Sequence, residues 1–365
     1  MTTSAVDPDR KPAVRIGTQK GGTGRSTTVA NGAHELARLG ATVLLIDADS
    51  NAHLTESNIG YDAGEGGDAT IKDLIESTET GAAADMILEA PPAWQPRTDL
   101  PYEAGGAVPG TNGKVAFIPG SNAIDSAVEG ISGAPGSERR LAKGLSGVAR
   151  HFDLVLIDTG SSPSRLAWII LHAAYSTLGI ANPEDAAAKG IANEIDLNEA
   201  IAEAYDLDLR FVGAVCTKFS TQSKATHGEG VDHIKSVLAG VDQTPLTRPL
   251  AMPGPVPGAP EWTSGAALWP EILPDRKIVP KLAKERLPLS ASQHALADPT
   301  SAFFLRKDAL GAQPLLRGIA QLGVRLLQAT ESKAFADVAK VIADHPEYGL
   351  FAPAEVAQVD ASGGA

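Results

Sequence analysis

Cysteine is almost absent from this 365-residue sequence: Cys216 is the only one. A single thiol excludes an internal disulfide framework and any cysteine-built metal or iron–sulfur site within one chain, and it fits a reducing cytoplasm. Long apolar runs are missing too. None approaches the ~20 residues a membrane span needs, and residues 1–12 are polar and charged, without the apolar core of a secretory signal. Positive charge is scarce: 31 Lys and Arg face 44 Asp and Glu, a net charge of −13. Such a chain does not attract DNA or anionic lipid as a whole, so any DNA contact must come from a local basic patch. His151 and His233 have no partners at metal-ligand spacing. No Ser-His-Asp or Cys-His arrangement stands out, and no fixed-period repeat occurs.

What is present reads as a globular α/β protein. Hydrophobic residues make up 43% and charged residues 21%, the balance of a soluble fold. Six short apolar runs are predicted strands: Ala13–Thr18, Val43–Asp47, Val115–Pro119, Leu154–Asp158, Thr177–Ala181 and Phe211–Thr217. They are continuous rather than alternating, as in parallel strands buried on both faces. Helical periodicity lies between them. After Gly24, residues Val29, Ala33, Leu36 and Ala37 share one face and Gly40 suits a C-terminal cap; 186–204 and 313–341 also read as helical. The alternation predicts a doubly wound, mostly parallel sheet flanked by helices. Residues 1–12 read as a disordered leader and 351–365 as a disordered tail. Two proline- and glycine-rich stretches, 91–113 and 251–274, read as long loops or insertions carrying Trp94, Trp262 and Trp269. Surface decoration and partner binding are the two roles open to them.

The decisive stretch is Gln19-Lys20-Gly21-Gly22-Thr23-Gly24-Arg25-Ser26-Thr27. It follows a predicted strand and opens a predicted helix, the context a phosphate-binding loop requires. Glycines let the backbone wrap phosphate closely, inward amides and the helix N-terminus supply positive charge, and the Ser26 hydroxyl is placed to ligate Mg²⁺. Thr27 can reach a phosphate oxygen. Two acidic strand ends support the loop: Asp47 and Asp49 after Leu44-Leu45-Ile46, and Asp158 after Leu154-Val155-Leu156-Ile157. The second has the form of a Walker B strand, whose carboxylate orders water on the metal.

These three motifs, in this order, resemble the deviant Walker A ATPases, the group that includes ParA, Soj and MinD. Lys20-Gly21-Gly22-Thr23-Gly24-Arg25-Ser26 is similar to the group's Lys-Gly-Gly-x-Gly-Lys-[Ser/Thr], and Leu45-Ile46-Asp47-Ala48-Asp49 and Leu156-Ile157-Asp158-Thr159 also fit. The similarity covers roughly residues 13–220, and more weakly to 330. It implies a single P-loop ATPase domain over 13–350 that binds ATP and Mg²⁺ and forms an ATP-sandwich homodimer. It implies that Lys20 reaches the other subunit's nucleotide, that Asp49 positions the attacking water, and that Asp47 and Asp158 lie around the Mg²⁺. It further implies a cytoplasmic, nucleoid-associated switch whose hydrolysis is stimulated by a ParB-like or cargo-adaptor protein. Two positions depart from the pattern. Arg25 replaces the lysine that contacts the β and γ phosphates, an exchange that keeps the charge but not the shape. Gly160-Ser161-Ser162-Pro163 stands where many relatives have two prolines.

The DNA surface implied for such dimers has one candidate here. Arg276, Lys277, Lys281, Lys284 and Arg286 set five positive charges against Glu285 within eleven residues; a solvated helix face is the plainer alternative. The small, acidic, glycine-tipped end of the chain lacks the basic amphipathic helix a membrane role needs. Arg25 also keeps a second class of function open, a nucleotide-bound scaffold or filament former with little hydrolysis.

Overall fold

The computed structural model describes residues 10, 12–17, 22–63, 67–160, 164–183, 187–218, 224–241, 267–268, 278–293, 306–348 and 350. Among the described residues, eight strands form one sheet: β1 (Ala13–Gly17), β2 (Thr42–Ala48), β3 (Leu88–Glu89), β4 (Lys114–Ile118), β5 (Leu154–Thr159), β6 (Ser176–Ala181), β7 (Arg210–Cys216) and β8 (Ala267–Leu268). The helices are α1 (Arg25–Arg38), α2 (Ile71–Glu76), α3 (Ile124–Gly130), α4 (Arg140–Leu145), α5 (Arg165–Ala173), α6 (Ala187–Tyr205), α7 (Lys224–Val241), α8 (Ile278–Lys284), α9 (Arg306–Ala329) and α10 (Phe335–Asp344). The strand order is β3-β4-β2-β5-β1-β6-β7-β8. All neighbours are parallel except β3, which pairs antiparallel with β4 at the edge.

All six predicted strands form, and their apolar runs explain why. Successive side chains of a strand point to opposite faces. Val43 and Leu45 of β2 and Leu156 of β5 enter one core with α1 and α9. Leu44 and Ile46, with Val155 and Ile157, enter a second core with α2, α3, α4 and α5. Covered on both sides, the strands have no solvent face to fill with polar residues. Cys216 is buried on β7, where burial pushes its thiol up to about 12, so it serves as a small apolar residue. His151 and His233 are exposed. No helix among the described residues is long and apolar enough to cross a membrane.

Helix α1 carries the predicted apolar face but is buried all round, including Asn31, His34, Glu35 and Arg38. It ends where Gly40 adopts φ 105° and its N–H donates to the Ala37 carbonyl. What covers its polar side is the 91–113 segment. That segment is no loose decoration, nor does it hold its tryptophan out for a partner. It folds through 3₁₀ turns at Pro92–Trp94 and Tyr102–Ala104. Trp94 is 1% exposed, meets the His34 ring edge-on at 6.1 Å and donates from Nε1 to the Arg286 carbonyl at 3.1 Å. Arg38 donates to the Gly106 and Tyr102 carbonyls, pairs with Glu35 at 2.6 Å and lies over the Tyr102 ring. A buried guanidinium is tolerated because its donors are satisfied.

The continuous helix predicted over 313–341 is two helices. Glu331 takes a left-handed φ of 51°, the Ser332 hydroxyl donates to the Asp153 carbonyl, and the chain restarts as α10. The 251–274 segment lies almost entirely outside the described residues, as do Trp262, Trp269, the tail and nearly all of the leader.

Candidate functional site

The sheet places the acidic strand ends beside the loop. β5 lies between β1 and β2, and its register sets Asp47 opposite Asp158 and Ala48 opposite Thr159. Gly22 to Thr27 lie with Asp49 at the carboxyl edge of the sheet, where open α/β sheets bind ligands. Gly22 and Gly24 hold φ values of 72° and 80°, a left-handed backbone that glycine adopts without Cβ strain. Gly24 caps α1 without any side-chain acceptor, so the first N–H groups of a 14-residue helix remain available. With the helix dipole they form an anion-binding end. A cavity of about 340 Å³ lies there, lined by Gly22 to Thr27 together with Asp49, Asn51, His53 and Lys218. Lys20 and Gly21 lie outside the described residues.

Two residues that sequence reasoning missed anchor this loop. The Thr217 hydroxyl donates to the Thr23 carbonyl and the Lys218 ammonium to that of Gly22. Lys218 brings a second cation to the cavity from the end of β7. Its one sequence signal is position, a Thr-Lys pair directly after a buried strand.

Asp158 is fully buried at the end of β5. Its Oδ1 accepts from Arg25 Nε at 2.6 Å, and its Oδ2 has no hydrogen-bond partner among the described residues. Burial raises its pKa, and Arg25 and Ser26 oppose the rise. Asp49 accepts from Arg25 Nη2 at 3.1 Å on Oδ2, and from the Asn51 backbone and side-chain amides on Oδ1. Arg25 thus bridges two carboxylates at the mouth of the loop and is itself 8% exposed. Asp47 is placed differently. Its Oδ2 takes the backbone N–H and hydroxyl of Thr55, and its Oδ1 takes the Asp49 N–H. Both oxygens are committed, Oδ2 to the π-helical turn His53–Ile59 and Oδ1 to the strand end, so Asp47 shapes the site from beneath rather than facing the cavity.

No group of three or more His, Cys, Asp or Glu side chains among the described residues forms a ready metal cage. Mg²⁺ does not ask for one, because it keeps several waters and shares phosphate oxygens with one or two protein ligands. The Ser26 hydroxyl and the open Asp158 Oδ2 fit that demand: a hard oxygen donor and a buried acceptor for a metal-bound water.

The stacked acids make nucleotide-free stability depend on pH. Burial and the neighbouring Asp158 push Asp47 up to about 7, against the opposing hydrogen bonds from Thr55. A carboxyl whose folded pKa exceeds its unfolded value near 3.9 holds its proton better in the folded state between those values. This pair's contribution to stability therefore falls as pH rises from about 4 to about 7. Urea unfolding across that window should show the loss, and Asp47→Asn should flatten it; an unchanged slope would contradict this placement of the acids.

The basic cluster is partly described. Lys281 and Lys284 are exposed on α8 and Arg286 is exposed just after it. Arg286 Nη1 donates to the Gly60 carbonyl at 3.3 Å. Ala283 of α8 lines the loop cavity, which puts this helix beside the candidate nucleotide site. Arg276 and Lys277 lie outside the described residues.

The sequence and the fold both have known relatives. The profile of a family described as "AAA domain" matches residues 12–211. The chromosome-partitioning ATPase Soj of Thermus thermophilus is 26% identical over 206 residues, covering 56% of this chain and 69% of that one. Among solved structures, apo McdA of Cyanothece superposes with a TM-score of 0.57 at 16% identity, covering 83% of this chain and 98% of the other. A putative plasmid partition protein of Borrelia burgdorferi B31 bound to AMPPNP gives 0.52 at 15% identity, covering 85% and 98%.

Proposed function

The chain belongs to the AAA domain family and is a P-loop ATPase of the ParA/MinD type, and from that premise we propose that it is an ATP-dependent switch that positions or segregates cargo on DNA. The observation that carries the reading is the meeting of loop, Ser26 and Asp158 at one sheet edge, with a helix N-terminus aimed into a cavity of about 340 Å³. In this reading, the amides of Gly22 to Thr27 take the phosphates. Ser26 would ligate Mg²⁺ and Asp158 would hold its water, and the ion would supply charge neutralisation to the bound phosphates. Asp49 orients the attacking water, and Lys20 reaches the nucleotide of a second copy across an ATP-bridged dimer. Hydrolysis removes the phosphate that holds the two loops together. The name of the Soj relative supports the partition role. The ParB-like or adaptor partner and the nucleoid location rest on family resemblance.

Sizing of the chain with and without a non-hydrolysable ATP analogue tests the switch. The expected result is a monomer without analogue and a dimer with it; a monomer under both conditions would remove the dimer. For DNA, the exposed Lys281, Lys284 and Arg286 are the contacts. Neutralising all three should weaken ATP-dependent DNA binding and lower the salt slope of log K by about 0.9 for each phosphate that no longer meets a cation. Binding and slope unchanged in gel shifts would clear this patch of the role.

Arg25 favours a second reading, a nucleotide-bound scaffold with little turnover, because its guanidinium is drawn onto Asp49 and Asp158. Phosphate release by wild type and Arg25→Lys, with and without DNA, separates the two. Turnover confined to the lysine variant means scaffold; DNA-stimulated turnover in wild type means switch.

A further inference from the structure

Arg25 stands where a phosphate-contacting cation is expected and lines the loop cavity, but two of its donors are already held by carboxylates. Nε gives a 2.6 Å hydrogen bond to Asp158, and Nη2 a 3.1 Å bond to Asp49. These two carboxylates come from different strands, one to position water on the metal and one to position the attacking water in the reading above. All three side chains are at most 8% exposed. Removing either partner from a buried charge pair is costly because the remaining charge lacks compensation. A planar guanidinium is suited to bridging two carboxylates; an ammonium is a point charge without that fork. Lys218, the lysine of the cavity wall, donates to a loop carbonyl rather than to either acid.

We infer that Arg25 is an internal counter-ion that neutralises Asp49 and Asp158 until nucleotide arrives, so that Mg²⁺–ATP must exchange with the guanidinium to assemble the site. The inference rests on the nucleotide-site reading and adds a regulatory step to it. Phosphate offers Arg25 a bidentate partner of equal charge type. The same side chain thus leaves the acids and engages the ligand in one movement. Without nucleotide, the arginine keeps divalent cations away from Asp158 and keeps Asp49 from activating water.

Divalent-cation binding to the nucleotide-free full chain tests this directly. Mn²⁺ is titrated and its free form followed by electron paramagnetic resonance. Wild type is expected to bind Mn²⁺ weakly. Arg25→Ala, which uncovers both carboxylates, is expected to bind about tenfold tighter or better, the scale on which one adjacent charge shifts an ionic equilibrium. If the alanine variant does not fold, Arg25→Lys carries the test, with binding tighter than wild type expected because one ammonium cannot span both acids. A fluorescent ATP analogue is titrated in parallel. Equal Mn²⁺ affinity in wild type and variant, with analogue bound by wild type, overturns the exchange and leaves the nucleotide site standing. Failure of wild type to bind the analogue overturns both.

Discussion

Asp158→Asn should reduce magnesium-dependent ATP hydrolysis about 10–100-fold, the usual consequence of losing a group that orders a metal's outer ligands. The substitution keeps the side chain's shape at a fully buried position, removes its charge and turns one acceptor into an N–H donor. Two effects on stability then oppose each other. Arg25 loses its 2.6 Å partner but retains Asp49 at 3.1 Å. Asp47, directly opposite in the sheet, loses the like charge that helps push its pKa up to about 7. The midpoint of urea unfolding should therefore move little while turnover collapses. Phosphate release and unfolding measured on the same preparation check this pair of outcomes. Turnover at the wild-type level would remove Asp158 from the metal's surroundings. A large loss of stability would mean that the Arg25 pair outweighs the repulsion between the acids.

The largest stability effect is expected far from the phosphates. Trp94→Ala should cost about 3–5 kcal/mol, the range for truncating a buried aromatic. The indole is 1% exposed, packs into the core shared by α1 and α9, and its N–H is held by the Arg286 carbonyl. The backbone carbonyl of Trp94 meets His34 Nδ1 at 3.0 Å, and His34 Nε2 meets the Ser290 hydroxyl at 2.8 Å. One residue thus joins α1, the 91–113 segment and the chain following α8. Removing its side chain leaves a cavity that three separate segments would have to collapse to fill. Trp94→Phe, which keeps most of the ring but not the N–H, should lose less. Chemical denaturation separates the cases, and an alanine variant as stable as wild type would contradict the packing described.

The legible parts of the sequence were those governed by local pattern. Strands buried on both faces must be continuous apolar runs, so β1, β2, β4, β5, β6 and β7 could be placed to within one or two residues. The loop could be read because its glycines, its strand-to-helix setting and two acidic strand ends are all local features. The illegible parts depend on distant contacts. Strands β3 and β8 have two residues each, too few to show a period. The order of 91–113 comes from Arg38, His34 and the chain after α8, none of which is near it in sequence. The break between α9 and α10 depends on a bond from Ser332 to Asp153, 179 residues away. Within the site, charge alone could not distinguish the acids. Asp47 and Asp158 both end buried strands, but the two Thr55 donors commit Asp47 to structure. The seating of Arg25 on Asp49 and Asp158 follows from side-chain geometry that spacing does not encode.

Binding of ATP with magnesium by the purified full chain, followed by isothermal titration beside a Gly24→Val variant, tests the central claim most directly. Gly24 sits at φ 80°, where a β-branched residue is strained, at the foot of the helix whose amides are assigned to phosphate. Wild type should bind one nucleotide per chain in a magnesium-dependent manner, and the variant should lose that binding while remaining folded. Absence of magnesium-dependent binding in wild type, or full binding by a folded variant, would contradict the assignment of this loop to a triphosphate.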